Sequence, residues 1–149
     1  MNKTDNPLRI AFLTSEHAHD KRSYTGSLYY MGKALERHCG EITYLERILS
    51  WESRVLGRIM REAEKHHLNK WQIAYKRLLF VAKKQAKIAA QRLAVRDFDV
   101  IVAPDCVSEI AFLQTDIPIL LPLDVTFRLQ RDYYPEYSRL LAFSACQGE

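Results

Sequence analysis

The run "LRIAFLTS" at residues 8–15 constrains the fold more than any other stretch. A strand with one wet face alternates apolar and polar residues, and this one does not. Ile10, Ala11, Phe12 and Leu13 follow one another without a break, as a strand covered on both faces requires. Such a strand belongs inside a parallel sheet, and the rest of the chain supplies the partners. Residues 26–38 set Leu28, Met31 and Leu35 at helical spacing, and "CG" at 39–40 reads as the stop, with Gly40 near the C′ position. "EITYLERI", 41–48, alternates Ile42, Tyr44 and Glu46 against Thr43, Leu45 and Arg47 and reads as a second strand. Residues 50–67 and 70–96 are helical by pattern. "FDVIVAP" is a third strand, "CVSEIAFLQ" a short helix, and "DIPILLPLD" a fourth strand bracketed by Pro118 and Pro122. "EYSRLLAFSACQGE" begins another helix. Strands alternating with helices imply an α/β domain with a doubly wound parallel sheet and right-handed crossovers. The expected organisation is one domain over 1–149, with the helical segment 47–96 as an insertion.

Charge is distributed unevenly. Residues 47–96 hold 13 Lys/Arg against 3 Glu, while the remainder carries a net −6, so a mild +4 overall conceals a basic middle. That asymmetry asks for an anionic partner. Within it, Trp71, Tyr75, Leu78, Ala82, Ala86, Ala89 and Leu93 fall on one helical stripe, and Lys76, Lys83 and Lys87 fall opposite, with Ile73 and Phe80 close to the lysines. A solvated face, a peripheral contact with anionic lipid and a nucleic-acid surface are the three readings of this pattern. Phe80, Ile73 and Trp71 favour lipid over nucleic acid, for which no recognition motif is present. Apolar content of 48% and charge of 27% suit a water-soluble domain. No apolar run reaches the length of a membrane span, and no secretory leader opens the chain. These features lead to the expectation of a cytoplasmic protein, with peripheral attachment at the inner face of the membrane. Cys39, Cys106 and Cys146 are odd in number and widely spaced, which argues for buried thiols rather than disulfides or a zinc cluster.

"SYTGSLYYMGKAL", 23–35, follows the first strand and raises the question of phosphate binding. Five residues separate Gly26 from "GK" at 32–33, and Ala34 stands where a Walker loop needs a hydroxyl, so that motif is excluded. Gly26 lacks the companion glycines of a dinucleotide fingerprint. Two readings remain. Thr25 caps the helix and Gly26 only turns the chain, or Gly26 brings backbone N–H groups to an anion, with Thr25 or Ser27 adding a hydroxyl. His17 and Asp20, in "EHAHD", lie on the same loop beyond the first strand's carboxyl end and are within reach of a cleft there. His17 with His19, and His66 with His67, form pairs, but spacing offers no third ligand, so no metal is expected. "DYYPEY", 132–137, reads either as an aromatic platform for a sugar or as packing before the last helix.

The order "LRIAFLTS", "DKRSYTGSLYYMGKALERH", "DVIVAP…SEIAFLQTDIPILLPLDVTF" and "DYYPEYSRL…QGE" resembles the N-terminal half of bacterial family 4 glycosyltransferases. The likeness covers nearly the whole chain, is strongest over 99–149 and is weakest in the basic middle. It implies a Rossmann-like domain, one half of a GT-B fold, on the acceptor side of a retaining, hexosyltransferase-type enzyme. The donor would be a nucleotide-diphosphate sugar and the acceptor a carbohydrate or a lipid-linked hydroxyl. By the same resemblance Thr25, Gly26 and Ser27 match the loop that approaches the donor phosphates. Ser108, Glu109 and Thr126 match the acceptor side, and Asp124 stands where many members carry a histidine near the reacting sugar. No metal is implied, since helix N-termini and basic side chains stabilise the leaving diphosphate. The donor-binding half is absent from these 149 residues, so the resemblance implies a truncated chain, inactive alone. The competing expectation is a non-catalytic α/β module that uses its basic helices on a lipid surface or nucleic acid.

Overall fold

The computed structural model describes residues 7–22, 26–48, 51–65, 79–104, 106–124, 126, 129 and 133. In chain order they form β1 (Leu8–Leu13), α1 (Ser27–His38), β2 (Gly40–Leu45), α2 (Trp51–Lys65), α3 (Leu79–Leu93), β3 (Val100–Val102), α4 (Val107–Ile110) and β4 (Ile119–Leu120). The chain is α/β, with an all-parallel four-stranded sheet in the order β2-β1-β3-β4.

β1 occupies an inner position, as its unbroken apolar run predicts. Its side chains alternate between two cores. Ile10 and Phe12 face Leu28, Met31 and Leu35 of α1, while Ala11 and Leu13 face Ala89 and Leu93 of α3. α1 therefore covers one face of the sheet and α3 the other. Ile42 and Tyr44 of β2 join the α1 side, and Leu45 joins the α3 side, so the expected alternation holds. The stripe through Ala82, Ala86, Ala89 and Leu93 is buried as its spacing requires. Trp71, Ile73, Tyr75, Lys76 and Leu78 lie outside the described residues. Tyr134, Tyr137, Cys146 and His66–His67 lie outside them as well.

One local expectation holds and two are corrected. α1 stops at "CG" as its spacing predicts, with Cys39 at the C-cap and Gly40 at C′, and Gly26 is the glycine with positive φ among the described residues. Cys39 caps α1 through its N–H to Leu35 O at 2.8 Å, and Gly40 opens β2 directly. Glycine is needed there for space, since a Cβ at position 40 would sit 2.2 Å from Leu8 O. The second strand ends at Leu45 rather than continuing to 48, because Arg47 takes a φ of 54° and turns the chain. That turn buries Ile48 and lets its N–H reach Thr14 O at 3.4 Å. Cys39, finally, is exposed at its helix end, and Cys106 alone of the two described thiols is buried, donating to Leu13 O at 3.3 Å.

Arg9 clamps the start of β1 to the start of β3. Its backbone N–H and Nε both reach Asp99 Oδ2, at 2.8 and 3.1 Å, and Nη2 reaches Oδ1 at 2.8 Å. Asp99 N–H returns a bond to Arg9 O at 2.9 Å. The guanidinium and the amide together hold the Asp99 carboxyl down at about 2. A carboxyl depressed in the folded state adds stability above its unfolded value of about 4, and that contribution fades as pH falls toward 2. D99N is expected to lower the Tm at pH 7, with the gap to wild type closing between pH 4 and 2 in a thermal-melt series. Gln85 presents the opposite situation. It is wholly buried on α3, and among the described residues neither Oε1 nor Nε2 has a hydrogen-bond partner. Q85M keeps the volume and removes the unmet polar atoms, so it is expected to stabilise by about 1–3 kcal/mol in urea unfolding.

Candidate functional site

In sheets of this kind ligands bind beyond the carboxyl ends of the strands, where the strand order reverses. Here the chain leaves β1 toward one edge and β3 toward the other, so the reversal lies between them. A cleft of about 300 Å³ opens near that point. α1 contributes Ser27, Leu28 and Met31 from its first turns. Pro104 comes from the end of β3, and Pro122, Leu123 and Asp124 come from beyond β4. The wall is mostly apolar, with Ser27 and Asp124 as its polar side chains. The volume lies at the lower end of small-molecule sites.

Gly26 explains how α1 begins at this place. It occupies the N-cap in the left-handed region, φ 82°, and no side chain caps the helix there. A Cβ at Gly26 would press on Lys21 O at 3.2 Å and on the Tyr30 ring at 3.3 Å. The glycine is buried, and Ser27 rather than Gly26 reaches the cleft wall. The first turn of α1 holds no acidic residue of its own. An anion is favoured there by the helix's opening N–H groups and by the positive end of the helix dipole. Asp124, exposed at the opposite side of the opening, offers two acceptor oxygens to hydroxyl groups.

The remaining expected residues lie elsewhere. Thr25 is outside the described residues. His17 Nδ1 lies 3.3 Å from Glu46 Oε2, and His19 donates its backbone N–H to Glu46 Oε1 at 3.2 Å. Asp20 accepts from the N–H of Arg22 at 2.9 Å, a turn within its own loop. His17 therefore joins the end of β2, and neither it nor Asp20 lines the cleft. Ser108 is half-buried and Glu109 buried on α4, also outside the cleft lining. Thr126 is exposed. Lys83 and Lys87 border a separate groove of about 410 Å³ with Phe112, and Lys83 Nζ stands 5.7 Å from that ring. Phe80, placed beside these lysines by spacing, is exposed on α3.

Glu46 was a strand residue by pattern, and its role as the anchor for His17 and His19 was missed. The signal was available, because parallel pairing of β1 with β2 brings the loops after both strands together. Arg92 of α3 donates to Glu46 O, tying the same point to the helical layer. Among the described residues, no three His, Cys, Asp or Glu side chains are grouped as a metal site. No helix among them is long and apolar enough to cross a membrane. Compared with protein-family models, with curated proteins and with solved structures, the chain finds no match.

The left-handed N-cap yields a direct expectation. G26A places a Cβ in a conformation that costs about 1–2 kcal/mol and crowds Lys21 O. Urea unfolding is expected to show that loss, with G26N closer to wild type because asparagine tolerates the left-handed region.

Proposed function

We propose that this chain is the Rossmann-like, acceptor-side domain of a retaining glycosyltransferase similar to bacterial family 4, moving a sugar from a nucleotide diphosphate to an acceptor hydroxyl. The observation that carries the reading is that Ser27 and Asp124, far apart in sequence, line one cleft at the carboxyl ends of a parallel sheet. In the reaction the bond from the anomeric carbon to the diphosphate oxygen breaks. A bond to the acceptor oxygen forms on the same face of the sugar, and the acceptor hydroxyl gives its proton to the departing diphosphate oxygen. Negative charge gathers on the departing diphosphate, and N–H groups at the start of α1 suit a share of it. Asp124 accepts hydrogen bonds from sugar or acceptor hydroxyls and orients them. Leu28, Met31 and the two prolines offer an apolar wall to a sugar's C–H face. A second reading, a non-catalytic module for an anionic partner, draws on the exposed Arg54 and Arg58 of α2.

Two experiments separate these readings. The first is the coding sequence beyond Glu149. A second α/β half bearing a glutamate pair fits a transferase, and a stop codon at 149 counts against the transferase reading and for the second one. The second is an NMR titration of the chain with UDP- and GDP-sugars, with inorganic pyrophosphate as control. The amides of Ser27, Leu28 and Met31 are expected to shift, and D124N to weaken the matching nucleotide-sugar by about tenfold. Unmoved α1 amides with every donor count against the assignment of the cleft.

A further inference from the structure

The outer side of the α3–α4 pair carries a groove that shares no lining residue with the cleft. Its first hollow, about 410 Å³, has Lys83, Ala86, Lys87 and Ala90 of α3 along one wall, with Phe112 and Gln114 from just beyond α4 along the other. A second hollow of about 210 Å³ shares Ala90 and Gln114 and runs on past Leu93, Leu113 and Ile117 to Ala94. From Lys83 to Ala94 the two follow α3 for about 16 Å at the helical rise. The ends differ in chemistry. Lys83 and Lys87 stand one turn apart, both exposed, and among the described residues neither has a carboxylate partner. Lys84 between them is paired with Glu52. Lys83 Nζ stands 5.7 Å from the Phe112 ring, at the rim of the groove. Among the described residues no acidic side chain lines either hollow. The other end is apolar, and the floor between is alanine.

We infer that this groove docks an acidic amphipathic helix of a partner protein. Carboxylates four residues apart on such a helix repeat the spacing of Lys83 and Lys87. Apolar side chains one and two turns further along meet Leu93, Leu113 and Ile117. The alanine floor lets the partner's backbone approach α3 closely. The lysines supply selectivity and the apolar half supplies affinity. A membrane presents a plane, which does not enter a recess flanked by α3 and the residues after α4. A nucleic acid gains nothing from the apolar half of the groove. A second copy seated groove to groove would set four lysines against one another, which like charges oppose. α3 covers the sheet face opposite α1, so the partner leaves the Ser27 wall of the cleft free. The inference stands independently of sugar transfer.

The test titrates the whole chain into fluorescein-labelled peptides and reads anisotropy. One peptide, of about sixteen residues so that it holds a helix, carries on one face two glutamates four apart and then two leucines four apart. A second carries the same face in reversed order. Binding by either peptide is expected, and it is expected to weaken as salt rises. The same peptide with glutamines in place of the glutamates is expected to bind about tenfold more weakly, near threefold for each ion pair, and K83Q/K87Q is expected to match that loss. A90W fills the floor from an exposed helix position and is expected to abolish binding. R54Q/R58Q, a basic pair on α2, is expected to leave binding unchanged. Circular dichroism checks that each variant folds. In NMR spectra the amides of Lys87, Ala90 and Gln114 are expected to shift on binding, and those of Ser27 and Leu28 to stay in place. Equal binding of the glutamine peptide, unchanged binding by K83Q/K87Q and A90W, or no binding of either acidic peptide overturns the inference. Tighter binding of phosphatidylglycerol vesicles or of a single-stranded oligonucleotide through the same two lysines also overturns it, in favour of lipid or nucleic acid. A dimer that K83Q/K87Q dissolves overturns it in favour of a second copy.

Discussion

The structure depends on β1 being enclosed on every side. Its backbone is hydrogen-bonded to β2 on one edge and β3 on the other, while its side chains divide between two cores. Ile10 and Phe12 need α1, and Ala11 and Leu13 need α3, so neither helical layer is dispensable to the strand. Small residues on the α3 side, Ala11 with Ala89 and Ala103, let that helix approach closely. The loops beyond β1 and β3 are placed by this enclosure, and the cleft follows from where those loops diverge.

The ends of the sheet are secured differently. At the amino ends a charged pair fastens β1 to β3, in a largely exposed position where water competes for both partners. At the carboxyl ends the fastening is buried and mostly neutral. Thr14 N–H reaches Leu45 O at 3.2 Å, Thr14 O receives Ile48 N–H, and the Cys106 thiol reaches Leu13 O. The end that carries the cleft is thus held by bonds largely sheltered from solvent, which suits a region whose loop positions matter.

The legibility of the sequence followed the range of the forces involved. β1, α1 and the α3 stripe were readable because periodic burial leaves a periodic trace. The strand limits were less so: Arg47 has no local signature for its left-handed turn, which the burial of Ile48 rewards. Gly40 was legible as the end of α1, but the reason it must be glycine is space, and that constraint comes from Leu8, distant in sequence. For the cleft, Ser27 was nominated from its place after the first strand and Asp124 through the resemblance. Met31, Pro104 and Pro122 entered only through tertiary placement. The burial of Gln85 had no trace in composition at all.

The junction of Cys39 with Gly40 has a mechanical consequence. α1 passes into β2 with a single intervening residue, and Leu8 fills the space where slack would be taken up. Rotation of α1 about its axis would drag the register of β2, and with it β1. The Ser27 wall is therefore geared to the sheet and behaves as a fixed jaw. Pro122 to Asp124 follow a strand only two residues long, with exposed side chains, and carry no such gearing. Any adjustment of the opening to ligands of different size falls to that side.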